Sequence, residues 1–230
     1  MITIIIPAYN EARTIEKCIN EVRKKLQEMK INYQIIIAED GSSDNTYQIA
    51  KSLAKKYKNI EISHFDKRLG RGSALKRCVN IVKGDFVIYM DADLSTKLDA
   101  LELLIRELKY NDIVIGSRYI GGAKYKRSLI RLMLSRAYNL IRLLLFPKLK
   151  VKDCQCGFKG FRKDIFIEIN KNVEDGQWFW DTEFLIKANA RKAKIKEIPI
   201  EWGGDKRTSV KILKDSIIMF AKLIKLRLGI

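Results

Sequence analysis

Hydrophobic runs and longer mixed segments alternate through the first half of the chain. Short runs rich in isoleucine and valine predict buried strands, and the segments between them carry apolar residues at helical spacing. The predicted strands cover residues 2–6, 33–38, 60–63, 85–90 and 112–116, and the predicted helices cover residues 11–30, 45–57, 73–82 and 98–109. Repeated strand–helix–strand units form right-handed crossovers. The pattern therefore predicts an α/β fold with a mostly parallel, Rossmann-like sheet flanked by helices.

Polar loops follow the predicted strands and are rich in Asp, Gly, Ser, Asn and Arg. They cover residues 7–12, 39–44, 66–72, 91–96 and 116–122. Any one of these loops is explained equally well as an ordinary connection. Because the carboxyl ends of parallel strands share one edge of the sheet, where ligands bind, the loops together predict a single site.

Two aspartates end the fourth predicted strand, in the sequence VIYMDADLST. Successive side chains of an extended chain alternate, so Asp91 and Asp93 lie on the same side. Two carboxylates this close repel each other unless a cation or a proton lies between them. The spacing therefore predicts a site for a divalent cation.

Basic and apolar residues dominate two predicted helices in the second half. In residues 128–146, Arg131, Ser135, Asn139 and Arg142 fall within about 80 degrees of arc on an otherwise apolar helix. This stripe is either the solvated side of a half-buried helix or a phosphate-binding face beside a surface for an apolar molecule or a bilayer. The last helix, about residues 210–228, is also basic and apolar, and it either lies on an anionic membrane or packs on its own domain.

Composition favours one globular domain with an anionic partner. The 230 residues are 47% hydrophobic and 31% charged, which excludes a disordered chain. The net charge is +18, and residues 121–230 carry 25 Lys and Arg against 11 Asp and Glu, whereas residues 1–120 carry 20 against 16. The second half is therefore predicted to meet an anion.

Neither the cysteines nor the apolar runs indicate secretion or a membrane span. Cys18, Cys78, Cys154 and Cys156 lack the density of a disulfide framework and the spacing of a zinc site, so they are predicted to be buried, reduced thiols. The first residues lack the basic region of a signal peptide. No run reaches 18 uncharged apolar residues, so no transmembrane helix is expected.

Six motifs in order resemble the family 2 glycosyltransferases of the GT-A fold. They are IIIPAYNEARTI, EDGSSDNT, GRGSALK, DADLST, GSRY and DCQCGFKGF. Among these enzymes the chain is most similar to the polyprenyl-phosphate hexosyltransferases, namely the dolichyl-phosphate glucosyl- and mannosyltransferases. The resemblance implies one GT-A catalytic domain over 1–230. Its nucleotide-sugar-binding half would be 1–120, its acceptor-binding half 121–209 and its C-terminal amphipathic helix 210–230.

The resemblance also implies roles on the donor side. It assigns binding of the nucleotide sugar to Pro7, Ala8, Tyr9, Asn10, Glu11, Asp40, Arg71, Asp91 and Arg207. Asp91 and Asp93 match the D-x-D motif that holds Mg²⁺ or Mn²⁺ at the donor diphosphate. Ser95 departs from the pattern, because mannosyl members often carry Gln there, and this weakens a mannosyl assignment.

On the acceptor side, the resemblance implies that Arg118, Arg131 and Ser135 hold an acceptor phosphate, since arginine binds phosphate oxygens bidentately. It implies an inverting displacement, with Asp91, Asp93, Arg118, Arg131 and Asp181 as the catalytic set. A hydroxyl acceptor needs a general base, for which Asp181 with Glu183 is the candidate. A phosphate monoester is already anionic, and Asp181 would then position the sugar or brace the CGFKGF strand.

The leading hypothesis is therefore transfer of a hexose from a nucleotide sugar to a polyprenyl or dolichyl phosphate. UDP-glucose is favoured as donor and GDP-mannose stays open. We expect action at the cytoplasmic face of a membrane, bound peripherally or through a separate membrane protein. The alternatives are a family 2 transferase for a soluble or polysaccharide acceptor, and a non-catalytic protein that binds anionic lipid or nucleic acid. A nucleic-acid partner is disfavoured because the D-x-D edge repels a phosphate backbone.

Overall fold

The computed structural model describes residues 1–126, 129–203 and 212–229. Within these ranges, the side chains of residues 125, 126, 129–131 and 212–214 are not described.

A seven-stranded sheet forms the centre of the molecule, in the order β3-β2-β1-β4-β7-β5-β8. Its strands are β1 Ile2–Ala8, β2 Tyr33–Glu39, β3 Ile60–Ser63, β4 Phe86–Met90, β5 Ile113–Ser117, β7 Phe158–Arg162 and β8 Ile195–Pro199. All neighbours are parallel except β7, which is antiparallel to both β4 and β5. The mostly parallel sheet is confirmed, and all five strands predicted in the first half are present.

Helices flank the sheet. They are α1 Ile15–Glu28, α2 Thr46–Lys56, α3 Arg71–Arg77, α4 Ala100–Leu108, α5 Leu129–Leu145, α6 Lys163–Asn170, α7 Trp180–Ala190 and α8 Ile212–Leu228. A short 3-10 helix, Cys78–Asn80, follows α3.

Burial explains why these segments form these elements. In β1, Ile4, Ile5 and Ile6 are all completely buried, as expected for a central parallel strand covered on both faces. In α4, Leu101, Leu104, Ile105 and Leu108 repeat at helical spacing and face the core.

A second sheet of two short parallel strands, β6 Lys124–Lys126 and β9 Glu201–Gly203, lies beside the D-x-D loop. The Gly203 N–H donates to the Ser95 carbonyl at 2.8 Å, and Thr96 forms an isolated antiparallel bridge with Trp202. The loop that carries the two aspartates is therefore fastened at its far end to β9.

Helices α5 and α8 pack on each other, and the polar stripe of α5 is only partly solvated. Asn139 and Arg142 are 9% and 2% exposed, and Arg142 donates to the carbonyls of Leu149 and Val151. The stripe as a solvated or phosphate-binding face is therefore wrong at Arg142, because its guanidinium supports the chain after α5.

Cys154 and Cys156 are buried free thiols, as are the other two cysteines. Desolvation raises the pKa of each of these two thiols to about 12, which disfavours the thiolate form that binds metals. In the part of the chain that the structure describes, no helix has both the length and the apolar character needed to cross a bilayer.

Candidate active site

A cavity of about 320 Å³ opens at the carboxyl ends of β1, β2, β4 and β5 and continues between α5 and α8. The residues predicted from the sequence that line it are Pro7, Ala8, Tyr9, Glu11, Asp40, Arg71, Asp91, Asp93, Arg118 and Ser135. The fold thus brings the predicted donor and acceptor residues into one cavity.

Two predicted site residues that the structure describes, Asn10 and Asp181, do not line the cavity. The φ of Asn10 is 56°, and its amide oxygen accepts a hydrogen bond from the Ser43 N–H at 2.8 Å. Asparagine tolerates this left-handed conformation, so Asn10 shapes the loop rather than facing a ligand. The side chain of Arg131 and the whole of Arg207 lie outside the described residues.

The two aspartates of the D-x-D motif both face the cavity but are held differently. Asp91 Oδ1 accepts from Arg71 Nη1 at 3.3 Å, and a Cβ on Gly157 would lie 2.0 Å from Asp91 Oδ2. A side chain at position 157 would displace the Asp91 carboxylate from this position. Asp93 accepts from both the N–H and the hydroxyl of Ser95, at 2.9 and 2.5 Å. Ser95 therefore orients Asp93.

Electrostatics at the cavity floor favour a bound cation. Desolvation raises the pKa of Asp91 from 3.8 to about 6; Arg71 opposes this shift, whereas Asp93 and Asp181 add to it. The negative charge of Asp91 is therefore costly in the protein alone. A cation between the two carboxylates would relieve that cost.

The residues present fit Mg²⁺ or Mn²⁺ held jointly with a substrate. Within residues 1–126, 129–203 and 212–229, no group of three or more His, Cys, Asp or Glu side chains is arranged to hold a metal ion. Asp91 and Asp93 supply two hard carboxylates instead. This matches sites in which one or two carboxylates hold the ion and the phosphates of the substrate and water complete its shell.

Asp40 anchors the loop formed by residues 66–72. Its Oδ2 accepts from the N–H groups of Leu69 and Gly70, at 3.1 and 2.6 Å, and its Oδ1 accepts from Arg77 Nη1 at 3.2 Å. A carboxylate has about four lone-pair positions, so three are used and one, on Oδ1, remains. Asp40 also lines the cavity, where this position can accept one further hydrogen bond.

The cavity wall beside Asp40 is formed by a cation–π pair. The guanidinium carbon of Arg68 lies 3.9 Å from the centre of the Tyr9 ring, and both residues line the cavity. This arrangement presents a flat, positively charged surface.

The loop at residues 66–72 interlocks with the segment before α7. The Ser73 N–H donates to the Gly176 carbonyl at 2.9 Å, and Gln177 Nε2 donates to the Leu69 carbonyl at 2.8 Å. Gly70 has a φ of 103°, and a Cβ there would lie 2.4 Å from Gln177 Cδ. Glycine at position 70 is therefore required both by its conformation and by the close approach.

The same segment is tied to α8. Lys222 of α8 donates to Asp175 Oδ2, and Asp175 Oδ1 accepts from the N–H groups of Gln177 and Trp180 at 2.7 and 3.1 Å. Asp175 therefore connects α8, α7 and the cavity rim.

Arg118 is held rigidly at the cavity wall. It is 4% exposed, and its Nε and Nη2 each lie 2.7 Å from an oxygen of Asp153, in a bidentate pair. Asp153 in turn is positioned by its N–H, which donates to Glu197 at 3.0 Å. Nη1 of Arg118 is not part of this fork, and arginine held in this way is suited to binding an anion without further ordering.

Helices α5 and α8 supply the remaining wall, which is partly apolar. Leu134 and Tyr138 come from α5, and Met219 comes from α8. The Tyr138 hydroxyl donates to Thr182 Oγ1 at 2.8 Å, which fixes the ring.

Asp181 lies behind the cavity and does not line it. It is completely buried; its Oδ1 accepts from the Tyr89 hydroxyl and from Lys159 Nζ, and its Oδ2 accepts from Arg71 Nη2. Both oxygens are thus engaged by cationic or hydroxyl donors. This surrounding does not suit a general base, which must reach the proton it removes.

Glu183, the other candidate base, is also engaged. It is 3% exposed, its two oxygens accept from the N–H groups of Glu174 and Asp175, each at 2.9 Å, and Lys187 lies 2.6 Å away. Its role is therefore to hold the segment before α7.

Several residues at the site were not singled out from the sequence. Arg68, Asp153 and Lys159 carry charge, but only distant chain segments that the fold brings together give them partners. Trp178 lines the cavity and lies 4.6 Å from the guanidinium of Arg71, whereas Trp180 is buried in the aromatic core. Trp180 therefore packs in the core, whereas Trp178 faces the cavity.

Comparison with known proteins decides the family. The profile of Glycosyl transferase family 2 matches residues 3–169, which includes the D-x-D loop and Arg118. The chain belongs to this family.

Curated relatives cover almost the whole chain. Glycosyltransferase AglD of Haloferax volcanii is 37% identical over 97% of this chain and 36% of its own length. Dolichyl-phosphate beta-glucosyltransferase ALG5A of Trichomonas vaginalis is 32% identical over 98% of this chain and 72% of its own length. Dolichol-phosphate mannosyltransferase of Pyrococcus furiosus is 30% identical over 96% of this chain and 62% of its own length. The chain thus spans about a third to three quarters of these relatives.

Solved structures confirm the GT-A fold. Glucosyl-3-phosphoglycerate synthase from Mycobacterium tuberculosis, in complex with Mn²⁺, UDP and glucosyl-3-phosphoglycerate, has a TM-score of 0.70 at 19% identity, covering 100% of this chain and 80% of its own. Mannosyl-3-phosphoglycerate synthase from Rubrobacter xylanophilus has a TM-score of 0.73 at 17% identity, covering 99% and 74%.

Proposed function

We propose that this family 2 glycosyltransferase moves a hexose from a UDP-sugar, UDP-glucose above all, to a polyprenyl or dolichyl phosphate, with inversion at the anomeric carbon. The reaction uses Mg²⁺ or Mn²⁺ held by Asp91 and Asp93. The relatives named as dolichyl-phosphate glucosyl- and mannosyltransferases support this acceptor class.

The engagement of Asp181 is the observation that carries the choice of acceptor. A hydroxyl nucleophile needs a base, but Asp181 is completely buried and bonded through both oxygens, and Glu183 holds backbone N–H groups. A phosphate monoester is already an anion near neutral pH and needs no base. Arg118, held by Asp153 at the cavity wall, is placed to receive such an anion.

The apolar side of the acceptor is supported by α5 and α8. The cavity continues between them past Leu134, Tyr138 and Met219, so an acceptor phosphate near Arg118 would extend its chain along these side chains. The outer surfaces of both helices also expose apolar residues, among them Leu144 at 71% and Ile217 at 69%. With a net charge of +18, this surface suits peripheral binding at the cytoplasmic face of an anionic membrane.

The hydrogen bonds of Asp40 support uracil as the donor base. Guanine presents two adjacent N–H donors and is best met by a carboxylate with both oxygens open. Asp40 Oδ2 is already bonded to Leu69 and Gly70, which leaves one acceptor position, on Oδ1. Uracil presents a single ring N–H donor, which matches one acceptor, and the surface of Tyr9 and Arg68 offers a face for stacking.

Each of the protein residues then has its own role in the reaction. Asp91 and Asp93 would hold the divalent ion at the diphosphate end of the donor, and Arg118 orients the acceptor phosphate. A bound divalent ion supplies Lewis-acid stabilisation of the departing diphosphate. A phosphate oxygen of the acceptor bonds to the anomeric carbon as the bond from that carbon to the diphosphate oxygen breaks, and the nucleoside diphosphate leaves with the electron pair.

The test is transfer from radiolabelled UDP-glucose or GDP-mannose, with Mn²⁺ or Mg²⁺, to a short-chain polyprenyl phosphate in detergent. The matched control is the same polyprenol without its phosphate, and a soluble sugar acceptor forms a third arm. We expect transfer only to the phosphate, and faster from UDP-glucose. Transfer to the neutral polyprenol or to the soluble sugar would overturn the proposed acceptor.

A further inference from the structure

One arginine is shared between a carboxylate that faces the cavity and one that is buried. Arg71 Nη1 lies 3.3 Å from Asp91 Oδ1, and its Nη2 donates to Asp181 Oδ2. The guanidinium carbon also lies 4.6 Å from the centre of the Trp178 ring. The side chain is only 14% exposed, so its position is set by these neighbours.

The buried end of this arrangement is itself fixed. Lys159 is 1% exposed, and its Nζ lies 2.5 Å from Asp181 Oδ1 and also donates to the Cys156 carbonyl. The Tyr89 hydroxyl donates to the same Asp181 oxygen. Tyr89 is completely buried, so this contact is shielded from solvent.

At the other end, Asp91 contacts Gly157 as well as Arg71. Its N–H donates to the Gly157 carbonyl at 3.2 Å, and a Cβ on Gly157 would lie 2.0 Å from Asp91 Oδ2. A displacement of Arg71 would therefore remove the hydrogen bond that its Nη1 donates to Asp91 Oδ1.

We propose that Asp181 is a positioning residue that acts on Asp91 through Arg71, and that it is not the general base of the reaction. This inference rests on the proposed function, in which Asp91 holds the metal ion and the donor diphosphate. Lys159 holds Asp181 in place, Asp181 orients the guanidinium of Arg71, and Arg71 orients Asp91 toward the cavity.

The arrangement of charges supports a positioning role for Asp181 in addition to a purely structural one. Asp91, Asp93 and Asp181 carry three negative charges, and Arg71 and Lys159 carry two positive ones, which leaves one net negative charge before a divalent ion enters. Lys159 and Tyr89 donate to Oδ1 of Asp181, and Arg71 donates to Oδ2. Arg71 also reaches the cavity wall, where its Nη1 lies 3.3 Å from Oδ1 of Asp91, a predicted metal ligand.

The test measures the affinity for UDP with Mn²⁺ by calorimetry, in the wild type, Asp181→Asn, Arg71→Lys and the double variant. Residues that orient metal ligands typically change metal affinity by about 10- to 100-fold. We expect a loss of this size in each single variant and no further loss in the double variant, because both changes break one chain of contacts. The pH profile of kcat in Asp181→Asn is expected to keep its shape.

A general base gives a different result. If Asp181→Asn keeps wild-type affinity for UDP with Mn²⁺ while kcat falls and the basic group disappears from the pH profile, the inference is overturned. Additive losses in the double variant would also overturn it, because they would show independent roles. If Asp181→Asn does not fold, Arg71→Lys carries the test, and wild-type affinity in that variant contradicts the inference.

A matched control separates positioning from stability. Asn170 is 4% exposed, and its amide oxygen accepts a hydrogen bond from Trp180 Nε1 at 3.0 Å. Trp180 directly precedes Asp181 in the chain, but this hydrogen bond does not involve Arg71. Asn170→Ala should lower the melting temperature and leave the affinity unchanged. An equal loss of affinity in Asn170→Ala would overturn the inference. If the wild type does not bind UDP with Mn²⁺, the proposed function fails first and this inference fails with it.

Discussion

The helix α4, which covers the sheet, and the pair α5 and α8 are similarly rich in apolar residues and place them in opposite ways. In α4, Leu104 and Leu108 are completely buried. Among the described residues, eight of the twelve exposed large apolar side chains belong to α5 or α8, with exposures from 40% to 71%. They are Met133, Leu140, Leu143, Leu144, Ile217, Ile218, Ile224 and Leu228.

This difference shows that the apolar side chains of α4 are buried within the chain itself, whereas many of those on α5 and α8 are not. Helix α4 buries its apolar side chains against the sheet, whereas α5 and α8 carry apolar side chains on both their inward and their outward surfaces. Met219 and Leu223 of α8 face inward, at 7% and 0% exposure, while Ile217 and Ile224 face outward. An apolar surface of this kind typically marks an interaction site.

The largest effect is expected in the donor region, at Asp93. Asp93→Ala removes one of the two carboxylates predicted to hold the metal ion, and we expect kcat/KM to fall on the order of 10³-fold, or about 4 kcal/mol. The measurement is steady-state transfer with saturating Mn²⁺. Asp99→Ala is the control, because its side chain is 86% exposed six residues along. Equal activities of the two variants would contradict the role of Asp93.

The comparison of the helices is tested directly by two leucine truncations. Leu104→Ala, in α4, removes a completely buried side chain and should cost about 2–5 kcal/mol of unfolding free energy. Leu144→Ala, in α5, removes a side chain that is 71% exposed and should change stability by less than about 0.5 kcal/mol. Urea denaturation of both variants measures this. A comparable loss in Leu144→Ala would show that the α5 surface is covered by its own chain.

The outward surface is tested on membranes. Leu144→Asp should weaken binding to vesicles that contain anionic lipid by about tenfold, because burying a leucine contributes about 1.5–3 kcal/mol. Vesicle sedimentation measures the binding. Tyr110→Asp is the matched control, since Tyr110 is 74% exposed but lies outside α5 and α8. Equal binding by both variants would remove the membrane role of this surface.

The smallest effect concerns the stability of the metal-free protein. The pKa of Asp91 is raised from 3.8 to about 6, so its contribution to stability is fully present below pH 3.8 and is lost as pH rises through 6. Asp91→Asn removes this loss. Its side chain is 41% exposed, so the gain is limited to about 1 kcal/mol, or about 2–4 °C.

Calorimetry with EDTA at pH 5 and pH 7.5 checks this prediction. The melting temperature of Asp91→Asn should exceed that of the wild type more at pH 7.5 than at pH 5. An equal difference in melting temperature at both pH values would show that the charge of Asp91 does not destabilise the metal-free protein. The variant should also be poorly active, so that stability and activity change in opposite directions.

The strands and the cavity residues were predictable because they depend on local pattern. The isoleucine runs fixed β1 and β2, and the position of Asp91 and Asp93 after β4 placed them at the ligand-binding edge. In contrast, β7 inserts antiparallel between β4 and β5, and it alone brings Lys159 to Asp181. No periodicity in the sequence reports that pairing.

Side-chain partners were the least predictable part of the site. Arg142 looked like a member of a polar stripe, because helical geometry places it near Asn139, but its carbonyl partners follow the helix in an irregular segment. Arg118 was expected at a phosphate, and the sequence did not indicate that Asp153, 35 residues away, holds it. Such pairs depend on the packing of distant segments.

The interlock between the loop at residues 66–72 and the segment before α7 has a consequence for protein engineering. Gly70 leaves no room for a side chain against Gln177, and Ser73 and Leu69 are bonded to the same segment. A chimera designed to accept another nucleotide sugar must therefore exchange both segments together, since either one transplanted alone would meet a partner shaped for the other. The two segments are separated by about a hundred residues of chain, although they are in direct contact.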